Sequence, residues 1–266
     1  MLKDVSTVKF RCSSWGHLMP EPKLKADKEA GNLSEGAKTH CVDVFTSWYY
    51  KRREDTYSKY FEKGNAVEED AITLVSVQTG IFFKKNETNL ANQWITGTPD
   101  LFVGSEGIEK AEVIEDTKSS WDIFTFQRTK AKGETDLNWW QMQGYMGLTG
   151  AKLARLRFCL VNATPDLITD EKRKLAYAMR VMQDDSDPTY IERCAQIERN
   201  MIYDMGLFRK HNPNYDFSLI LADWNFDIPA NERLHTIEIP RDEEAIQSGY
   251  RKVEKARIFI NSLMYK

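Results

Sequence analysis

Two short stretches decide how this chain reads: Gly97-Thr98-Pro99-Asp100 and, sixteen positions after that aspartate, Asp116-Thr117-Lys118. The hydrophobic lead Glu112-Val113-Ile114-Glu115 makes the second the end of a strand of about Glu112 to Ser119. Side chains alternate along a strand, so Ile114, Asp116 and Lys118 share one face and Val113, Glu115 and Thr117 the other. Residues Gln93 to Val103 read as a preceding strand, and Gly104 to Gly107 as the turn between the two. Folded on that turn, Asp100, Asp116 and Lys118 converge.

Two carboxylates and an ammonium at one point suit metal-assisted phosphodiester hydrolysis. Hard carboxylate oxygens hold Mg²⁺ or Mn²⁺, which neutralises charge on the phosphate and acidifies water. A lysine beside them can orient or deprotonate the attacking water and balance the transition state's negative charge. Taken alone, the pattern is better read as a hairpin-turn aspartate and a surface Asp–Lys pair. The flanking sequence weighs against that blander reading.

Upstream, Gly64-Asn65-Ala66-Val67-Glu68-Glu69-Asp70-Ala71 lies in an expected helix from about Tyr57 to Ser76. There Gly64, Glu68 and Ala71 share a side, while Glu69 and Asp70 read as a solvated face. Downstream, Trp139-Trp140-Gln141-Met142-Gln143-Gly144-Tyr145 lies in an expected helix at Leu137–Leu148, with Gln141 and Tyr145 one turn apart. Either side chain can hydrogen-bond a phosphate, a base or a catalytic carboxylate.

The remaining elements follow from periodicity and caps. Ser34 caps a helix running to about Arg53, with Ala37, Cys41, Val44, Phe45 and Trp48 at helical spacing. Gly80-Ile81-Phe82-Phe83 opens a strand, Trp121–Phe126 is helical, and Ala154–Val161 is a strand. Helices are expected at Asp170–Met182 and Pro188–Met205, followed by an aromatic-rich connection with Tyr215, Phe217, Trp224 and Phe226. These aromatics are assigned to core packing in preference to base stacking. A strand at Arg233–Ile239 and an amphipathic helix at Asp242–Leu263 close the chain. The sum is an α/β (α+β) fold: a mixed central sheet flanked by helices, one domain over residues 1–266, with a largely helical insertion at 164–231.

In this order, Gly64-x-x-x-Glu68-x-x-Ala71, Pro99-Asp100, Asp116-x-Lys118 and Gln141-x-Gln143 resemble the PD-(D/E)XK nuclease superfamily, which has a restriction-endonuclease-like core. More narrowly the chain is similar to the λ-exonuclease and YqaJ-type viral recombinases, relatives of RecB nuclease domains. Gln141-x-x-x-Tyr145 also fits the RecB-group signature. The likeness runs from about Val8 to Ala163 and resumes at Arg233 to Glu243. It implies that Asp100 and Asp116 hold the metal with the Thr117 main-chain carbonyl, and that Lys118 is the catalytic lysine. Glu68 is implied to help bind a second metal or its water, and Gln141 to position the lysine or the phosphate. Phe10-Arg11-Cys12-Ser13-Ser14-Trp15 is similar to a serine motif near the 5′ phosphate, so Arg11, Ser13 and Ser14 are DNA-binding candidates together with Tyr145. Ser13 as a helix N-cap is the competing reading.

Composition is that of an ordinary soluble globular chain: 41% of the 266 residues are hydrophobic and 29% charged. No run of about 18 apolar residues and no apolar leader is present, so neither a membrane span nor secretion is expected; the resemblance implies the cytoplasm of a bacterial or phage-infected cell. Cys12, Cys41, Cys159 and Cys194 show no CxxC spacing, which argues against zinc ribbons and iron–sulfur clusters. The net charge of −3 excludes a simple electrostatic nucleic-acid sponge. Lys118 to Lys174 nevertheless holds ten Lys/Arg against six Asp/Glu.

The resemblance implies a 5′ to 3′ exonuclease on double-stranded DNA ends, working in phage-type recombination with a single-strand annealing partner, as a trimer. A PD-(D/E)XK endonuclease or flap nuclease, and a non-catalytic DNA-binding module, are the alternatives.

Overall fold

A computed structural model describes residues 4–54, 58–183, 186–218 and 224–265. Its helices are α1 (Cys12–Trp15), α2 (Lys25–Glu29), α3 (Glu35–Tyr50), α4 (Lys59–Ala66), α5 (Glu68–Thr79), α6 (Ile123–Lys132), α7 (Asp136–Thr149), α8 (Pro165–Met179), α9 (Pro188–Met201), α10 (Met205–His211) and α11 (Glu243–Leu263). Its strands are β1 (Phe10–Arg11), β2 (Leu90–Ala91), β3 (Ile95–Gly97), β4 (Leu101–Val103), β5 (Val113–Ser119), β6 (Leu153–Cys159) and β7 (Leu234–Pro240).

The mixed α/β class is as expected, but the strands form two sheets. One is three-stranded in the order β1-β3-β2, and the other four-stranded in the order β4-β5-β6-β7. The segment expected as one strand, Gln93 to Val103, is divided. β3 pairs in parallel with β1 (Phe10 with Ile95), whereas β4 pairs antiparallel with β5 (Leu101 with Glu115). Thr98-Pro99-Asp100 steps between the sheets, and Pro99 has no N–H to give to a ladder. Gly97 ends β3 against α7 and α1, where an added Cβ would stand 2.7 Å from Tyr145 Cε1 and 2.9 Å from Cys12 Sγ. β5 runs parallel to β6 with Asp116 opposite Leu156, and β6 runs antiparallel to β7.

Other expectations shift for local reasons. α3 starts where Ser34 Oγ accepts from the Ala37 N–H at 3.2 Å, as the capping pattern predicts, and stops at Tyr50 because Lys51 turns left-handed (φ 56°). Of the helix expected from Tyr57, that first residue lies outside the described residues. The rest is two helices, broken at Val67, which leaves helical geometry at φ −120°. Gly80-Ile81-Phe82-Phe83 is not a strand. Gly80 closes α5 at φ +70°, and the chain then runs as a loop in which Phe83 is buried while Phe82 is 92% exposed.

α8 begins at Pro165, earlier than expected, because proline suits the first helical turn. The helix expected to reach Met205 ends at Met201, and Asp204 caps the separate α10. Residues 184–185 and 219–223 of the expected insertion lie outside the described residues. Tyr215, Phe217 and Trp224 pack on a cluster containing Ile202 and Phe208, while Phe226 stays half-exposed with the Arg199 guanidinium 4.7 Å from its ring centre. No helix among the described residues is long and apolar enough to cross a membrane.

The main core lies between the sheets and the helices α3, α7 and α11. α11, expected from Asp242, is capped by that residue's side chain and buries Ile246, Tyr250, Val253, Ala256 and Ile260. α7 is buried from Gln141 to Met146, so its polar residues must find partners inside the protein.

Candidate active site

Strand β5 is fixed from its back face. Glu115, fully buried, accepts from Arg157 Nε (2.8 Å), Arg157 Nη2 (3.1 Å) and Arg155 Nη1 (3.2 Å). Arg157 Nη1 also donates to Thr236 Oγ1 at 2.7 Å, so the network spans β5, β6 and β7. Alternation then sends Asp116 and Lys118 to the other face, as the sequence predicts.

Asp100 follows Pro99 at the step between the sheets. Its Oδ2 accepts from the Thr117 N–H at 2.8 Å and from Thr117 Oγ1 at 3.0 Å, which locks the loop carrying Asp100 onto β5. Burial and the neighbouring Asp116 charge raise the Asp100 carboxyl to about 7, against the two Thr117 donors.

Asp116 is 1% exposed. Its Oδ1 accepts from Gln141 Nε2 at 3.1 Å. Its Oδ2 lies 2.5 Å from Lys118 Nζ, an ion contact off the direction of a hydrogen bond, which leaves that oxygen buried without a hydrogen-bond donor. Burial disfavours the Lys118 charge, but Asp116 outweighs it and holds the ammonium above its ordinary value. Gln141 Nε2 is 2.9 Å from Tyr145 Oη, and that hydroxyl donates to the Thr98 carbonyl at 3.2 Å. One face of α7 thus holds β5 and the step between β3 and β4.

These side chains line one cleft of about 740 Å³, whose walls include Arg11, Ser13, Gly64, Glu68, Asp100, Asp116, Thr117, Lys118, Gln141 and Tyr145. Tyr145 sits on the cleft floor, almost wholly buried. Ser14 is not in the wall; its hydroxyl lies 3.3 Å from the Arg11 carbonyl. Ser13 is exposed and stands inside α1, whose N-cap is Arg11, so the capping alternative for Ser13 does not hold.

Glu68, in the first turn of α5, reaches the cleft but is ion-paired with Lys85. Sequence reading missed Lys85 and Asn86. They lie in an aperiodic loop whose only outward sign is the run Lys84-Lys85-Asn86. Asn86 is buried. Its N–H donates to the Asp100 carbonyl at 2.7 Å and its Nδ2 to the Pro99 carbonyl at 2.9 Å.

The donor set fits a hard divalent cation: a buried and a half-buried carboxylate, the second raised by burial and by the charge of the first, with an Asp116 oxygen lacking a hydrogen-bond donor. Among the described residues no group of three or more His, Cys, Asp or Glu side chains is arranged to hold an ion, and Glu68 is engaged with Lys85. The four cysteines are free and buried.

No protein-family model and no curated protein sequence matches the chain. Solved structures do. A phage-related exonuclease from Haemophilus somnus 129PT is 29% identical, over 97% of this chain and 96% of that one, with a TM-score of 0.67. An alkaline exonuclease from Laribacter hongkongensis is similar in fold at 11% identity, over 98% of this chain and 91% of that one, with a TM-score of 0.57. The same enzyme in complex with dAMP superposes with a TM-score of 0.53, at 12% identity, over 98% of this chain and 90% of that one. The chain therefore has the restriction-endonuclease-like fold of these exonucleases, consistent with its resemblance to λ-exonuclease and YqaJ-type nucleases of the PD-(D/E)XK superfamily.

Proposed function

We propose that this chain is a metal-dependent DNA exonuclease that hydrolyses phosphodiester bonds from duplex ends, in the 5′ to 3′ sense, for phage-type recombination by strand annealing. The observation that carries this reading is the meeting of Asp100, Asp116, Lys118 and Gln141 in one cleft, on a fold shared with a 29%-identical phage-related exonuclease.

Asp100 and Asp116, with the Thr117 carbonyl, would hold Mg²⁺ or Mn²⁺, and the ion when bound supplies Lewis-acid charge for the phosphate. Lys118, kept protonated by Asp116, donates to the attacking water or a phosphate oxygen as negative charge builds. Gln141 fixes the orientation of Asp116, and Tyr145 fixes Gln141. Arg11 and Ser13, on the same cleft wall, take the terminal phosphate by charge-assisted hydrogen bonds. The protein acts in the cytoplasm as one domain whose 164–231 segment elaborates the nuclease core. It assembles as a trimer and hands its product to an annealing protein.

The test is digestion of linear and covalently closed circular duplex DNA with Mg²⁺, the linear substrate labelled at its 5′ or 3′ end. Release of 5′-labelled mononucleotides with intact circles is the expected result. Cut circles would make the protein an endonuclease, and no cleavage of either would leave a DNA-binding module.

A further inference from the structure

Glu68 enters the cleft of Asp100, Asp116 and Lys118, yet its carboxylate is committed to Lys85. The placement of Lys85 is built into the fold. The next residue, Asn86, is buried and bonded to the carbonyls of Pro99 and Asp100. Its Oδ1 also accepts from the Thr88 N–H at 3.1 Å, and its Nδ2 donates to the Thr88 carbonyl at 3.2 Å. The loop is thus clamped to the segment that carries Asp100, and the Lys85 ammonium lies in the field of Asp100 as well as Glu68.

The charge balance of the cleft follows. Glu68, Asp100 and Asp116 face two ammonium groups, Lys85 and Lys118, and the Arg11 guanidinium lines the same cleft. One divalent cation on the two aspartates then leaves the cleft with a surplus of positive charge. A second would have to displace Lys85 from Glu68, against the clamp that Asn86 provides.

We infer that Lys85 supplies at Glu68 the positive charge a second divalent ion would bring, so that the cleft takes one tightly held ion, on Asp100 and Asp116. This inference rests on the reading of the cleft as the metal site of a nuclease. Lys85 is a positioning residue for Glu68, and metal stoichiometry reports its role independently of cleavage.

The test is a Mn²⁺ titration of the full chain at neutral pH, followed by electron paramagnetic resonance of the free ion. Wild type should bind one tight ion, lost in Asp116→Asn. Lys85→Met should bind a second, or tighten a weak second site by about 10-fold or more, a step of the size that partner residues impose on metal affinity. Adding Glu68→Gln to Lys85→Met should return the count to one. Lys85 is partly exposed, so Lys85→Met should fold, and Lys85→Gln provides a second variant. One Asp116-dependent ion with both Lys85 variants unchanged would overturn the inference alone. Two tight ions in wild type, one lost in Glu68→Gln, would also overturn it. No Asp116-dependent Mn²⁺ binding would overturn both the inference and the metal-dependent reading beneath it.

Discussion

Gln141 Nε2 reaches Asp116 Oδ1 at 3.1 Å across the space between α7 and β5, while the other Asp116 oxygen receives no hydrogen bond. A buried carboxylate normally collects several donors, whereas this one is held by a single amide on one side and by the ion contact with Lys118 on the other. The asymmetry separates the support of the site from its chemistry, and each can be tested by itself.

Gln141→Ala removes the supporting donor and leaves the Tyr145 hydroxyl with the Thr98 carbonyl alone. Losing a partner to a buried charged acceptor costs about 1–3 kcal/mol. The variant should therefore unfold at lower urea, and cleavage should fall roughly 10–100-fold through misorientation, as for the loss of a residue behind a metal ligand. Urea titration and single-turnover cleavage read the two effects. Unchanged values in both would show that the Gln141–Asp116 contact supports neither fold nor site.

Asp116→Asn keeps an acceptor for Gln141 and removes the charge. The fold should survive, and cleavage should drop by at least about 10²-fold, the scale of losing an aligned electrostatic contact to the transition state. Lys118→Ala should lower kcat far more than it weakens DNA binding. A variant with intact kcat and weaker DNA affinity would make Lys118 a phosphate clamp. Near-wild-type cleavage by Asp116→Asn would remove this aspartate from the site.

The order of the sequence motifs carries much of this arrangement. Ser34 announces a helix start by its side chain alone, apolar periodicity gives the closing helix, and alternation along β5 separates Asp116 from Glu115. The division of Gln93–Val103 between two sheets is not announced. Nothing local marks Thr98-Pro99-Asp100 as a crossing, because the grip on it comes from Tyr145 and Asn86, distant in sequence. Lys85 was hidden for the same reason: its partner is 17 positions away and its own segment has no period to read. The break at Val67 also escaped periodicity, which runs almost unperturbed through Gly64 to Ala71.

The back face of β5 gives a stability prediction. Arg157→Met would leave Glu115 buried with only Arg155 at 3.2 Å, and breaking a buried pair from one side costs about 3–5 kcal/mol. The double variant Glu115→Met with Arg157→Met should recover much of that loss, because no buried charge is then left over. Thermal or urea unfolding of the three proteins decides it. Equal destabilisation of the single and double variants would mean that packing, and not charge, holds β5 to β6.

Lys63 gives the pH dependence. It is fully buried on α4, donates to the Trp121 carbonyl at 2.8 Å, and lies 5.8 Å from the Tyr203 ring centre. Burial brings its amine down to about 7, against the pull of Asp122, while the unfolded chain keeps the ordinary 10.5. Between these values the unfolded state binds the extra proton, so stability rises with pH across the window. Below it both states are protonated and the destabilisation is complete; above it both are neutral and the destabilisation is gone. The gain from pH 7 toward 9.5 should be on the order of a few kcal/mol. Lys63→Met should flatten that rise when urea midpoints are compared at the two ends. Parallel pH profiles for wild type and variant would show that Lys63 stays charged in the folded protein, in water or on an acid that this arrangement does not place beside it.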